Sequence, residues 1–189
     1  MIFLPPKFWE VKETKNKGKG IFAKKEIKKG VVIGDYIGKL IHPKDVDLEK
    51  MEAYLMYYSD EACIYPDLKS PGVHLLNHSC SPNSFLYTYK SHTLVFTLRK
   101  ILKEEELTIS YQLPPISEFE KICTHQCRCE SKSCTKTMHL TEEQYQKWRN
   151  FQDTQEIGTK KQKISYGKKL SLLPSYPEMI CFPEGAMVY

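Results

Sequence analysis

The sequence predicts a mainly β chain with one helix near its C-terminal end. Three observations predict it. Apolar positions at Val31, Val32, Ile33, Tyr36, Ile37, Leu40 and Ile41 are interrupted by Gly30, Gly34 and Gly38, as in short strands joined by tight turns. A second strand-rich block runs from Val73 to Tyr111, with Thr93 to Leu98 as its clearest strand. Only after the Pro114-Pro115 break does a well-capped helical pattern follow, beginning at Thr141.

In chain order, residues 1 to about 45 read as strands and turns. An insert follows at about 45–71, with a short helix expected over Leu48 to Tyr57 and then an irregular stretch containing Pro66 and Pro71. The strand-rich block completes a first unit, 1–112. A cysteine-rich segment occupies 113–138, and a helix with an extended tail occupies 139–189. Thr141 caps the helix and Gln144 completes a capping box, with Leu140 and Tyr145 placed for a hydrophobic staple. Tyr145, Trp148 and Phe151 share one helical face, which is expected to pack on the domain. Residues 158 to 169, Lys-rich with two glycines, read as a solvated loop. Leu170 to Tyr189, apolar with three prolines, reads as an extended strap.

The 189 residues carry 28 Lys+Arg against 23 Asp+Glu, a net charge of +5 spread along the chain. Nucleic acid is therefore not expected as a direct ligand, since such binders concentrate basic charge on one face. The 41% hydrophobic and 27% charged content is ordinary for a globular chain. No apolar run approaches the length of a membrane span, and the run near Met1 is too short for a signal peptide. A reducing, cytoplasmic setting is expected, in which clustered cysteines point to metal rather than disulfides.

Cys127, Cys129 and Cys134 form a C-x-C-x4-C pattern in a loop too polar to build its own core. Zinc takes four N or S ligands, so a fourth must join them; by residue type Cys80, Cys123, His125 and His139 all qualify. Three further stretches carry polar groups next to apolar runs. Gly18-Lys19-Gly20, followed by the apolar Ile21-Phe22-Ala23, lets backbone approach a ligand closely. Asn77-His78-Ser79-Cys80 follows the apolar Val73 to Leu76, and Glu106-Leu107-Thr108-Ile109-Ser110-Tyr111 reads as a strand that delivers Tyr111 at its end.

Taken in order and spacing, these stretches resemble the SET-domain protein lysine methyltransferases. The resemblance runs from about residue 9 to residue 135. It includes Lys17 to Ala23, Tyr36-Ile37-Gly38, Asn77 to Asn83, Glu106 to Tyr111 and the cysteine-rich segment, which the family calls post-SET. It implies several small β-sheets with a pseudoknot, a zinc-binding post-SET segment and a C-terminal helix. It also implies S-adenosylmethionine held by Lys17, Gly18, Lys19, Gly20, Asn77, His78 and, in a more variable region, Tyr54. Tyr111 matches the catalytic tyrosine, Tyr36 a tyrosine of the lysine channel, and Ile109 a channel position. Cys80, Cys127, Cys129 and Cys134 match the ligands of one structural zinc, which would leave Cys123 spare.

The implied reaction moves a methyl group onto a neutral amine. Keeping a lysine of pKa near 10.4 uncharged at about pH 7.4 costs about 4 kcal/mol, which an apolar channel next to a cationic donor helps to meet. The implied partner is a protein bearing a target lysine, a histone or another basic protein, met in the cytoplasm or at nuclear or host chromatin. Ser110 stands where many relatives have Asp, and His74 where many have Arg. Ile109 replaces an aromatic residue, which leaves room for di- or trimethylation. The alternative is an inactive SET-like module that binds proteins without turnover.

Overall fold

The computed structural model describes residues 1–116, 125–156 and 164–181. Strands β1 (Trp9–Glu13) and β2 (Lys19–Ala23) pair antiparallel, with Glu13 opposite Lys19. In the turn between them, Thr14 Oγ1 donates to the Gly18 carbonyl (2.7 Å) and accepts from the Lys17 N–H (2.9 Å). There follow β3 (Val32–Asp35), β4 (Gly38–Ile41), a single helical turn α1 (Leu48–Met51), β5 (Met56–Ser59) and β6 (Ala62–Pro66). The chain then forms β7 (Asn77–His78), β8 (Ser84–Tyr89), β9 (His92–Thr97), β10 (Glu106–Ile109) and α2 (Glu142–Glu156).

Three small sheets result, ordered β1-β2-β10-β7, β3-β9-β8 and β4-β6-β5. The main core lies where they meet. Ile21, Ile33, Leu76, Val95 and Leu107 are each at most 1% exposed, and they join residues far apart in sequence into one cluster. The first sheet positions the site. β10, late in the chain, lies between the early β2 and the two-residue β7. Its pairing with β7 is parallel, Thr108 opposite Asn77 and Ile109 opposite His78. An Ser79 N–H to Ile109 carbonyl bond (2.9 Å) extends it. Two stretches about thirty residues apart thus end side by side.

The mainly β reading and the single long helix agree with this architecture. The capping box forms as read: the Gln144 N–H reaches Thr141 Oγ1 at 3.2 Å, and the Thr141 N–H reaches Gln144 Oε1 at 3.0 Å. The expected helix over Leu48 to Tyr57 is corrected. It stops after one turn, passes through a 3₁₀ turn at Glu52–Tyr54, and the chain turns extended at Met56. Pairing of Met56 with Ile64 and Tyr57 with Cys63 overrides local helix propensity. The stretch expected to be irregular therefore contains β6, central in its sheet.

Part of the expected solvated loop also docks. Leu40 N–H donates to the Lys168 carbonyl (3.0 Å) and Leu170 N–H to the Gly38 carbonyl (2.9 Å). The strap is extended through residue 181, held by Ile180 N–H to the Gly30 carbonyl (2.8 Å) and Val32 N–H to the Glu178 carbonyl (2.9 Å). Among the described residues, no helix is long and apolar enough to cross a membrane.

Candidate functional site

The parallel β7–β10 pair explains why Asn77, His78 and Tyr111 meet. The Tyr111 N–H donates to His78 Nδ1 at 3.1 Å, and the two rings stand edge to face with centroids 5.4 Å apart. With Nδ1 accepting, the neutral imidazole carries its proton on Nε2, which lies 3.5 Å from Cys80 Sγ. His78 is 5% exposed, and burial lowers its pKa to about 4, with Lys17 acting in the same direction. One neutral ring therefore links the tyrosine backbone to the cysteine cluster.

Tyr111 is held as a phenol. Burial pushes its pKa up to about 12, opposed by the His78 contact and assisted by Tyr54 and Glu106. Its hydroxyl donates to the Leu76 carbonyl at 3.3 Å. A group so protonated at neutral pH can donate and orient but is a poor base. Tyr36 is 5% exposed and also raised by burial, and its hydroxyl donates to the Tyr54 carbonyl at 2.6 Å. Ile109, 3% exposed, supplies an apolar side chain without a hydroxyl.

Lys17 to Gly20 lie beside this pair, since β2 borders β10. Two glycines serve different ends. Gly18 adopts a left-handed φ of +71° with open space around it. At Gly20, a Cβ would stand 2.7 Å from Glu106 Oε1 and 2.9 Å from Asn77 Nδ2, so only glycine fits. Glu106 is the residue that sequence reading left without a role. It accepts from Lys17 Nζ (2.5 Å) and from Asn77 Nδ2 (2.8 Å), while Asn77 Nδ2 also reaches the Lys19 carbonyl (3.1 Å). The signal was a carboxylate three residues before the strand's end; its partners became visible only through β2–β10 pairing.

These groups border two cavities. A smaller one of about 320 Å³ is lined by Lys17, Asn77, His78 and Tyr111, and by Gln126 and Arg128 of the cysteine-rich segment. A larger one of about 1700 Å³ takes in Lys17 to Lys19, Tyr36, Tyr54, Ile109 and Tyr111, and extends away to β5 and α2. Every residue assigned from the sequence to donor, channel or catalysis borders one or both of these spaces, except Gly20, which lies beneath the Glu106–Asn77 contact.

The cysteine ligands converge as well. Sγ atoms of Cys80, Cys127, Cys129 and Cys134 all lie within 4.8 Å of one another, with Cys80 and Cys127 at 3.6 Å. Tetrahedral zinc at about 2.3 Å from each sulfur needs separations of about 3.8 Å, so the donor set fits that ion. For Cys129, burial opposes ionisation, yet the Cys80 N–H (3.4 Å) and the Ser131 hydroxyl (3.2 Å) lower its pKa to about 5. Burial pushes Cys127 the opposite way. Adjacent thiolates of this kind require a cation to ionise together. Of the other candidate ligands, His125 and His139 bond each other at 3.2 Å, and His139 Nδ1 donates to the Pro114 carbonyl. Cys123 lies outside the described residues.

Comparison with known proteins identifies the family and the fold. A family model described as "SET domain" matches residues 18–112. The histone-lysine N-methyltransferase trithorax of Drosophila virilis is 29% identical over 133 residues, covering 65% of this chain and 3% of that protein. Human histone-lysine N-methyltransferase 2B is 28% identical, covering 65% and 5%. The Arabidopsis thaliana histone H3-lysine(4) N-trimethyltransferase ATX1 is 30% identical over 142 residues, covering 68% and 13%. This chain therefore spans only a small fraction of the length of these relatives. The solved structure of KRYPTONITE in complex with mCHG DNA and SAH superposes with a TM-score of 0.57 at 25% identity, covering 69% of this chain and 28% of that one.

Proposed function

Because this chain belongs to the SET-domain family, we propose that it is a protein-lysine N-methyltransferase that uses S-adenosylmethionine. The observation that carries the reading is the convergence of Lys17–Lys19, Asn77–His78 and Tyr111 on two cavities that share Lys17, Asn77 and Tyr111 in their walls. The donor, when bound, supplies an electrophilic methyl group on a sulfonium.

The chain's own residues do the rest. The main chain at Lys17 to Gly20, made approachable by the glycines, and the Lys17 ammonium receive the donor's amino-acid portion. Asn77, fixed by Glu106, and His78 complete that cradle. Tyr36, Ile109 and Tyr111 border the path of the incoming lysine. The burial of Tyr36 and Ile109 disfavours an ammonium there, so the amine arrives neutral. The Tyr111 phenol, kept protonated, orients the reacting groups rather than removing a proton. Cys80, Cys127, Cys129 and Cys134 hold one zinc, which orders the segment that brings Gln126 and Arg128 to the small cavity. Ile109, lacking both ring and hydroxyl, leaves space for a methylated amine, which supports di- or trimethylation.

The test is mass-spectrometric mapping of methyl-lysine in a protein extract after addition of purified protein and S-adenosylmethionine. New methyl-lysine sites, including multiply methylated ones, are the expected result. A map identical to the extract without protein contradicts the reading, and sites stalled at one methyl with enzyme in excess contradict the role of Ile109.

A further inference from the structure

A buried polar cluster lies directly behind Tyr36, apart from the donor and cysteine sites. Asp35, which ends β3, and His92, which opens β9, have side chains with no solvent exposure. His92 Nδ1 lies 2.6 Å from Asp35 Oδ2, where it donates to the carboxylate. The hydroxyl of Tyr176, from the C-terminal strap, reaches the same oxygen at 3.2 Å. The Leu173 N–H donates to the Tyr176 oxygen (3.2 Å), so the phenol's own proton points to Asp35. The Tyr176 ring packs on Phe3, with centroids 4.2 Å apart, and stands edge-on to His92. Asp35 Oδ1 is buried and has no hydrogen-bond partner among the described residues, which leaves the orientation of the carboxylate to these two donors.

Asp35 is tied to Tyr36 through the main chain. The Ile37 N–H donates to the Asp35 carbonyl (3.0 Å), closing a three-residue turn with Tyr36 at its centre. The Tyr36 N–H donates to the Thr93 carbonyl (2.9 Å), next to His92. The contact between Asp35 and His92 therefore locks together the two strand ends that set the direction of the Tyr36 ring. The strap brackets the same junction, with Leu170 bonded to Gly38 on the β4 side and Ile180 to Gly30 on the β3 side. Burying a carboxylate and an imidazole costs desolvation that an apolar pair would avoid; what the pair adds is a fixed geometry.

We propose that Tyr176 is a positioning residue for Tyr36, acting through Asp35 and His92 to hold that tyrosine against the path of the incoming lysine. This rests on the methyltransferase reading above. Without the Tyr176 hydroxyl, the carboxylate is one donor short and turns from its present direction. The turn that carries Tyr36 moves with it, and the Tyr36 hydroxyl loses its aim at the Tyr54 carbonyl, now 2.6 Å away. Lys19, Asn77 and His78 stand in a different sheet, so donor binding is untouched. A segment outside the matched domain thus sets the geometry of the lysine path.

The experiment is a double-mutant cycle on the full chain, with a lysine-centred peptide and labelled S-adenosylmethionine. It compares wild type, Tyr176→Phe, Tyr36→Phe and the double variant. Tyr176→Phe keeps the ring on Phe3 and loses only the hydroxyl. It lowers kcat about five- to tenfold, with peptide KM and the Kd of the demethylated donor within about twofold. In the Tyr36→Phe background the same change costs less than about twofold, since the hydroxyl it aims is gone. His92→Gln disturbs Asp35 from β9 and gives the same pattern. Unchanged kcat in both single variants, an equal loss in both backgrounds, or a parallel rise in donor Kd overturns the inference while leaving methyl transfer intact. Failure of both variants to fold by circular dichroism also overturns it, because the cluster then serves stability alone. Absence of transfer by wild type instead removes the methyltransferase reading.

Discussion

The β2–β10–β7 sheet and the cysteine-rich segment contribute to the same small cavity but are held together by different forces. The sheet is fixed by main-chain pairing and by side chains such as Ile21 and Leu107, both fully buried. Residues 125–140 contain only isolated bridges, and their shared centre is four sulfurs within 4.8 Å. One half is ordered by apolar burial that no reagent removes selectively. The other gathers four thiols that fit one zinc, and an ion held there would be open to a chelator. The same site should therefore come apart in two distinguishable ways.

The largest expected effect separates the halves. Chelating zinc, or changing Cys127 to Ser, should reduce methyl transfer by about 100-fold or more, while β-sheet circular dichroism persists. Equal loss of both signals would mean that the sheet depends on the metal as well. Next, Tyr111→Phe leaves the backbone contact to His78 intact and removes the orienting hydroxyl, so kcat should fall about 100-fold with peptide KM little changed. Steady-state kinetics on one peptide measures it.

These expectations depend on how differently the two halves can be read from the chain. Helix α2 was legible because its cap is local: Thr141 and Gln144 are three residues apart. The helix expected over Leu48 to Tyr57 failed for the opposite reason, since Leu48, Glu49, Lys50 and Met51 favour helix while Met56 and Tyr57 pair with β6. The zinc ligands divide the same way. The C-x-C-x4-C spacing is local, whereas Cys80 lies 47 residues before Cys127 and was chosen only through family resemblance. Glu106 had no visible role because its partners Lys17 and Asn77 are 89 and 29 residues away.

That long-range contact supplies smaller effects. Glu106→Gln weakens the grip on Lys17 and Asn77 on the sheet side alone, so donor KM should rise about tenfold and stability fall by about 1–2 kcal/mol. Zinc content should not change. Gly20→Ala should loosen donor binding similarly, because a methyl group there meets Glu106 and Asn77. Gly18→Ala meets open space and should lose only about 1 kcal/mol from its left-handed backbone. Isothermal titration with the demethylated donor, alongside thermal melts, ranks the three. Peptide turnover should also rise from about pH 7 to about pH 10 as free lysine loses its proton. The Tyr111 phenol, raised to about 12 by burial, stays protonated through that range and adds no alkaline fall.

The most direct test is a single-turnover assay with labelled S-adenosylmethionine and a lysine-centred peptide, comparing wild type with Tyr111→Phe and with a peptide in which norleucine replaces lysine. The account predicts label on the lysine peptide with wild type, a rate about 100-fold lower with the variant, and none on the norleucine peptide. Label moving at the wild-type rate in Tyr111→Phe, or failing to reach the lysine peptide at all, would contradict it.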